Sequence, residues 1–272
     1  MQFDYCGRDV FLQGVSESDW IYSIIRETGS FYELDLLKYI QYSMKGDPKG
    51  CVLDVGANIG NHSVFFGLFL AKKIVSFEPN PAVYKVLVEN LKNSAIDYTA
   101  YSLGVGDKKI KAVIDLPENH VNNIGAAKLV EIRESQCINS ETIDVTTLDE
   151  MLLDLERFSN GFPISAIKID VEGMEPAVLR GAVTLLKKYK PDLFVEISSD
   201  EQMASVLKVV EPLGYKSIVD WAATPVWHFV HYSNLNIVRI IKLKMYIFVF
   251  KHARRYFSRL KSLVKRLAAS VK

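Results

Sequence analysis

The sequence predicts an α/β fold: a Rossmann-like, mostly parallel sheet with an antiparallel edge, N-terminal helices before it and a C-terminal amphipathic helix after it. Three observations carry this. From residue 51 onward, short apolar runs alternate with longer amphipathic ones, the pattern of βαβ units. The first run leads directly into Gly56-Ala57-Asn58-Ile59-Gly60, a glycine loop that opens a helix. The last two runs, Tyr215–Asp220 and Val226–His231, are joined by so short a link that they must be antiparallel neighbours. A chain of 272 residues suits one such domain with extensions, and 49% hydrophobic with 24% charged residues fits a soluble globular protein.

Residues 1–48 read as an N-terminal helical segment, with helices around Asp19–Arg26 and Tyr32–Met44 stopped by Gly46-Asp47-Pro48. Within 49–232, strands are expected at Cys51–Val55, Lys73–Glu78, Tyr98–Leu103, Ile164–Asp170 and Asp192–Ile197. Helices begin near Asn61, Pro81, Thr147 and Glu175, and another covers Glu201–Glu211. Lys109–Asp115 reads as an extra strand in a hairpin, and a polar loop runs from His120 to Ala127. Residues 233–272 form a basic tail. From Ala253, the positions Tyr256, Phe257, Leu260, Leu263, Val264 and Leu267 recur at helical spacing among Arg254, Arg255, Arg259, Lys261, Lys265 and Arg266. Such a helix suits an anionic membrane surface; its rival is a helix packed on the domain.

Net charge of +1 hides an asymmetry. Eleven of the 33 Lys and Arg lie between Arg239 and Lys272, and no acidic residue follows Asp220. The rest holds 22 basic against 32 acidic residues. An acidic body makes nucleic acid an unfavourable partner. Cys6, Cys51 and Cys137 are scattered without metal-ligand spacing, which predicts a reducing cytoplasm. The opening Met1-Gln2-Phe3-Asp4-Tyr5 is not a secretory signal, and no apolar run approaches the roughly 20 residues of a bilayer span. The expected location is cytoplasmic, extending to the inner face of the membrane if the tail docks there.

Glycines 56 and 60 let the backbone turn sharply and approach a ligand, while the next helix offers free amides. A nicotinamide-cofactor loop would read G-x-G-x-x-G around a pyrophosphate; here it is G-x-x-x-G. S-adenosylmethionine has no phosphate, and its ammonium suits a carboxylate such as Asp54. Gly56, Ala57, Asn58 and Gly60 are therefore candidate cofactor residues. Glu78 closes the second strand, where a carboxylate accepts both ribose hydroxyls, with Asn80 beside it. Ser102 and Leu103, at the end of the third strand, should border the adenine.

The runs Val52-Leu53-Asp54-Val55-Gly56-Ala57-Asn58-Ile59-Gly60-Asn61-His62-Ser63, Phe77-Glu78-Pro79-Asn80, Thr147-Leu148-Asp149, Ile167-Lys168-Ile169-Asp170-Val171-Glu172-Gly173-Met174-Glu175, Leu179-Arg180-Gly181-Ala182 and Phe194-Val195-Glu196-Ile197 resemble, in order, the signatures of the FkbM-type methyltransferases. Tyr32-Glu33 resembles the acidic position that the family carries ahead of its first strand. The resemblance covers about residues 30 to 220. It implies a class I methyltransferase fold, S-adenosylmethionine as donor, and most often O-methylation of a hydroxyl. It implies a saccharide acceptor less firmly than it implies the donor; a polyketide or other small-molecule hydroxyl is the alternative, and a non-catalytic S-adenosylmethionine-binding module is the rival of another class.

Methyl transfer needs the acceptor oxygen held in line, and a base for its proton. Asp170, Glu172 and Glu196 fall at carboxyl ends of strands, where such groups gather. A cluster of carboxylates raises the pKa of at least one member, which suits a general base, with Asp170 favoured. Asp170 equally suits contact with the cofactor, and Asp170 and Glu196 suit a divalent cation such as Mg²⁺. Glu172 and Glu175 equally suit capping of the next helix. Lys168 alternates onto the side of Asp170, where a buried ion pair is its plain explanation. His62, in the first turn after the glycine loop, is a further catalytic candidate, as is His120. Trp221 and Trp227 read as sheet-edge packing.

Overall fold

The computed structural model describes residues 1–44, 50–115, 128–131, 142–221 and 225–249. It divides into two compact units, Met1–His231 and Tyr232–Lys272.

The first unit opens with a hairpin that the sequence reading lacks, β1 (Gln2–Tyr5) and β2 (Arg8–Phe11). Its turn residues Cys6 and Gly7 hold φ of 54° and 74°, as a tight two-residue hairpin requires. Phe3 and Val10, paired across it, are buried. Then come α1 (Trp20–Thr28), capped by the Asp19 carboxylate accepting from the Tyr22 amide at 2.9 Å, and α2 (Leu34–Ser43).

Next, β3 (Cys51–Val55), α3 (Asn61–Phe69), β4 (Lys73–Phe77), α4 (Pro81–Asn93) and β5 (Tyr98–Tyr101) form successive parallel βαβ units. Every residue of β3 is buried, as befits a central parallel strand covered on both faces. A small second sheet intervenes: β6 (Gly104–Val105), β7 (Ile110–Asp115), β8 (Lys128–Glu131) and β9 (Thr142–Thr146), in the order β6-β9-β7-β8. The expected hairpin strand is β7. His120, the loop to Ala127 and Cys137 lie outside the described residues.

The main sheet resumes through α5 (Leu152–Ser159), β10 (Ile164–Ile169), α6 (Glu175–Arg180), α7 (Val183–Tyr189), β11 (Asp192–Glu196), α8 (Asp200–Val210), β12 (Tyr215–Trp221) and β13 (Val226–His231). The helix expected near Thr147 is preceded by a turn over residues 148–151 and runs regularly from Leu152. The Thr147 hydroxyl accepts from the Glu150 amide, and Asp149 accepts from the amides of Thr184 and Leu185 at 2.8 and 2.9 Å, capping α7.

The seven strands lie in the order β12-β13-β11-β10-β3-β4-β5. Only β13 runs against the others, inserted antiparallel between β11 and β12. The closing hairpin is thus present, with its second strand inside the sheet rather than at the rim. From β3 the chain adds β4 and β5 on one side and β10 and β11 on the other. Connections diverge at that switch point and open a crevice at the strands' carboxyl ends. Beneath it, Leu53, Val55, Ile167, Ile169, Leu193 and Val195 are packed with Val178 and Leu186 in one core.

The second unit begins with a 3-10 turn at Tyr232–Asn234 and continues as a helix over residues 237–249. The Asn236 side chain accepts from the Arg239 amide at 2.8 Å and caps it. The helix expected from Ala253 lies outside the described residues.

Candidate active site

The glycine loop is shaped by close approach. Gly56 turns at φ 80°, and its amide and that of Ala57 donate to the Phe77 carbonyl at 3.0 and 2.9 Å. A Cβ on Gly56 would lie 1.7 Å from the Asp170 carbonyl oxygen, so this position admits glycine alone. Glu78 then ties loop to loop. Its two carboxylate oxygens accept from the amides of Asn58 and Asn80, both at 2.9 Å. Burial pushes its pKa up to about 7, against those two bonds and the Lys168 charge.

A single cavity joins these elements. The ends of β3, β4 and β5 supply Gly56, Ala57, Asn58, Glu78, Asn80 and Leu103, with Val105 and Met174 adding apolar surface. The ends of β10 and β11 supply Asp170, Glu172 and Glu196, facing Trp20, Tyr32, Glu33 and His62 from the N-terminal segment and α3. Three candidates stay out of the lining. Gly60 abuts Leu87, Ser102 is exposed, and Asp54 is fully buried.

Asp54 has a different neighbour from the one expected. One of its oxygens accepts from the Ser63 hydroxyl at 2.5 Å, and the other stands 3.6 Å from the ammonium of Lys168. The chain's own cation fills the place foreseen for the cofactor's. Lys168 also reaches Asp170 at 3.1 Å and donates to the Gly56 carbonyl at 3.3 Å. Burial would lower its pKa, but the charges of Asp170 and Asp54 and the hydrogen bond to Asp170 outweigh this and raise it. It is a permanent cation beneath the site.

Asp170 and Glu196 share one proton. Burial would raise Asp170, yet Lys168 and the hydrogen bond from Glu196 hold it at about 2. Glu196 moves the other way, to about 10, through its hydrogen bond to Asp170, its burial and the Asp170 charge. The sequence reading foresees a raised carboxyl in this cluster; it is Glu196, and Asp170 is the ionised partner.

The segment after β10 separates two acids. Glu172 (φ 52°) lines the cavity. Glu175 is buried, accepts from the amides of Val171 and Gly173 at 3.0 and 3.1 Å, and takes the Gln202 amide on its other oxygen. Across the cavity, His62 Nε2 stands 3.3 Å from Glu33 Oε2, an ion-pair distance outside hydrogen-bond alignment. Asn61 fixes that side by exchanging two hydrogen bonds with the Tyr32 backbone at 2.9 and 3.0 Å. Trp20 has no signal in the sequence, since it belongs to no motif; Asn61 lies in the first signature run, but its hold on the Tyr32 backbone arises only from tertiary packing. Trp227 packs on the core as expected; the side chain of Trp221 lies outside the described ones.

The residues fit S-adenosylmethionine: a glycine loop, a carboxylate after β4, an apolar wall, and acids near the reacting end. A divalent cation is another matter. Asp170 is already matched by Lys168 and bonded to Glu196, and among the described residues no three His, Cys, Asp or Glu side chains are grouped to hold a metal.

Fold, switch-point cavity and glycine loop together define a class I, S-adenosylmethionine-dependent methyltransferase. Residues 54–217 match the family described as the methyltransferase FkbM domain, and the chain belongs to that family. No curated protein matches it. Among solved structures, the methyltransferase FkbM from Methylobacillus flagellatus KT is similar at 16% identity and a TM-score of 0.44, over 78% of this chain and 61% of that one. A cofactor-bound protein from MTB, Rv0187, shows 10% identity and a TM-score of 0.44 over 77% and 86%. A Streptococcus mutans methyltransferase in complex with SAH shows 15% and 0.40 over 73% and 96%.

Proposed function

We propose that the protein methylates a sugar hydroxyl of a surface glycan or its lipid-linked precursor, and that it works at the inner face of a membrane, held there by its basic C-terminal residues. The observation that carries the acceptor reading is the composition of the cavity beside β10 and β11. Carboxyls from Asp170, Glu172, Glu196 and Glu33 and the imidazole of His62 stand there with the rings of Trp20 and Tyr32. Carboxylates accept hydrogen bonds from hydroxyls, and an aromatic face takes the apolar side of a sugar ring. The same charges oppose a phosphate-rich acceptor such as nucleic acid.

When bound, S-adenosylmethionine supplies a methyl on a sulfonium centre. Asp170, ionised at any physiological pH, accepts a hydrogen bond from the acceptor hydroxyl and holds its oxygen in line. Methylation of that oxygen would make its proton strongly acidic, so Asp170, a carboxylate of pKa about 2, would be basic enough to take it. Lys168 and Glu196 keep Asp170 ionised and aimed.

The test is methyl transfer in vitro to neutral glycans, acidic glycans and polyketide alcohols, alongside mass spectrometry of cellular glycans with and without the gene. Loss of one methyl group from a glycan supports the reading. Transfer to the polyketide alcohol alone would establish the small-molecule alternative, and donor binding without transfer to any acceptor the non-catalytic one.

A further inference from the structure

We propose that the helix over residues 237–249 docks the protein on an anionic bilayer through one exposed apolar stripe. The inference rests on the membrane location proposed above and assigns the contact to a segment ahead of the one the sequence pattern suggests.

Ile237, Val238, Ile241, Met245, Phe248 and Val249 are between 51% and 72% exposed. At about 100° per residue they fall within an arc of about 120°. Leu243 and Ile247 are buried on the opposite side, so the stripe is not the helix's inward face. Lys242 and Lys244, both exposed, lie just beyond the two borders of that arc. An apolar strip edged by lysines is the arrangement of a helix lying in an interface, where aliphatic stems follow the apolar boundary and ammonium groups reach head groups. Length agrees. Thirteen residues span about 20 Å, and no helix among the described residues is long and apolar enough to cross a membrane.

Charge selects the occupant. Residues 221–272 contain 11 Lys and Arg and no Asp or Glu. Pairing two copies through this stripe would bring both sets of cations together with no acid in either segment to offset them. An anionic lipid surface offsets them, since each basic residue near the head groups is attracted to it.

The experiment is co-sedimentation of the full chain with phosphatidylcholine vesicles, with or without phosphatidylglycerol. It compares wild type, Ile241→Glu with Met245→Glu, and Leu260→Glu with Leu263→Glu. Wild type should bind the anionic vesicles only. The Ile241/Met245 variant should lose at least tenfold in partitioning while still binding S-adenosylhomocysteine, which shows that it folds. Undiminished partitioning of that variant overturns the stripe, and if the Leu260/Leu263 variant alone has lost binding, the membrane location survives without it. Failure of wild type to bind either vesicle overturns both. A lipid-free dimer that the Ile241/Met245 substitutions dissociate would make the stripe a contact between copies and also overturn the proposal.

Discussion

Single residues set the chemistry, and their pKa shifts make separable predictions. With Asp170 held at about 2, it adds no break to the pH–rate profile between about pH 5 and 8. A fall toward acid there should follow Glu78, raised to about 7, and disappear in Glu78→Gln, and a fall that survives that substitution would count against Asp170 as the base. Asp170→Asn keeps the shape but not the acceptor charge, and turnover should drop about 10²-fold or more, with S-adenosylhomocysteine affinity much less changed. Wild-type rate in this variant would remove Asp170 from the mechanism. Glu196 gives a stability prediction. Its ordinary pKa is 4.5 and its folded one about 10, so between these the unfolded chain holds fewer protons and wild-type stability declines as pH rises. Glu196→Gln lacks that ionisation, and its melting temperature relative to wild type should climb from pH 5 to pH 9; a constant difference would contradict the shared proton. Much at this scale is legible in sequence, since Gly56, Glu78 and Asp170 sit inside contiguous signatures. The partnership of Asp54 with Lys168 is not, because it depends on the register of two neighbouring strands, in which Lys168 lies directly across from Asp54.

At the level of elements, periodicity and punctuation explain both successes and misses. The five core strands and the closing hairpin stand where their apolar runs lie. The turn of β1–β2 hides because Cys6, not Asn or Asp, occupies its first left-handed position. β9 carries a legible signal: buried Ile143 and Val145 alternate with exposed Thr142 and Asp144, a period-2 pattern. The run Leu179-Arg180-Gly181-Ala182 proves to be a joint between elements. Arg180 forms a two-pronged contact with Asp107 at 2.8 and 2.9 Å, and a Cβ on Gly181 would lie 2.0 Å from the Gly106 carbonyl oxygen. Gly181→Ala must therefore push α6 away from the segment that joins β6 to β7. Overpacking of this kind costs about 1–3 kcal/mol, to be read from denaturant unfolding. An unchanged midpoint would mean that the joint yields freely.

For the whole molecule, the division of charge and the division of structure nearly coincide. The compact unit Met1–His231 ends where β13 ends, and every residue that lines the cavity precedes Ile197. The cations concentrate after that point, from Arg239 to Lys272. The N-terminal segment falls within the first unit and supplies Trp20, Tyr32 and Glu33 to the cavity, a joining that composition cannot reveal because it arises only from tertiary packing. A chain ended after His231 retains all seven strands of the main sheet, both faces of the cavity and the Glu78 clamp. It should fold, unfold in a single cooperative transition within a few degrees of the full chain, and bind S-adenosylhomocysteine within about threefold of its affinity, a difference below 1 kcal/mol. Calorimetry and titration of both chains decide it. A truncated chain that aggregates, or binds the cofactor product more than tenfold more weakly, would make residues 232–272 part of the catalytic fold and not an appendage to it. Normal folding and binding, with methyl transfer lost only toward acceptors embedded in vesicles, would instead place the second unit's contribution at the membrane surface.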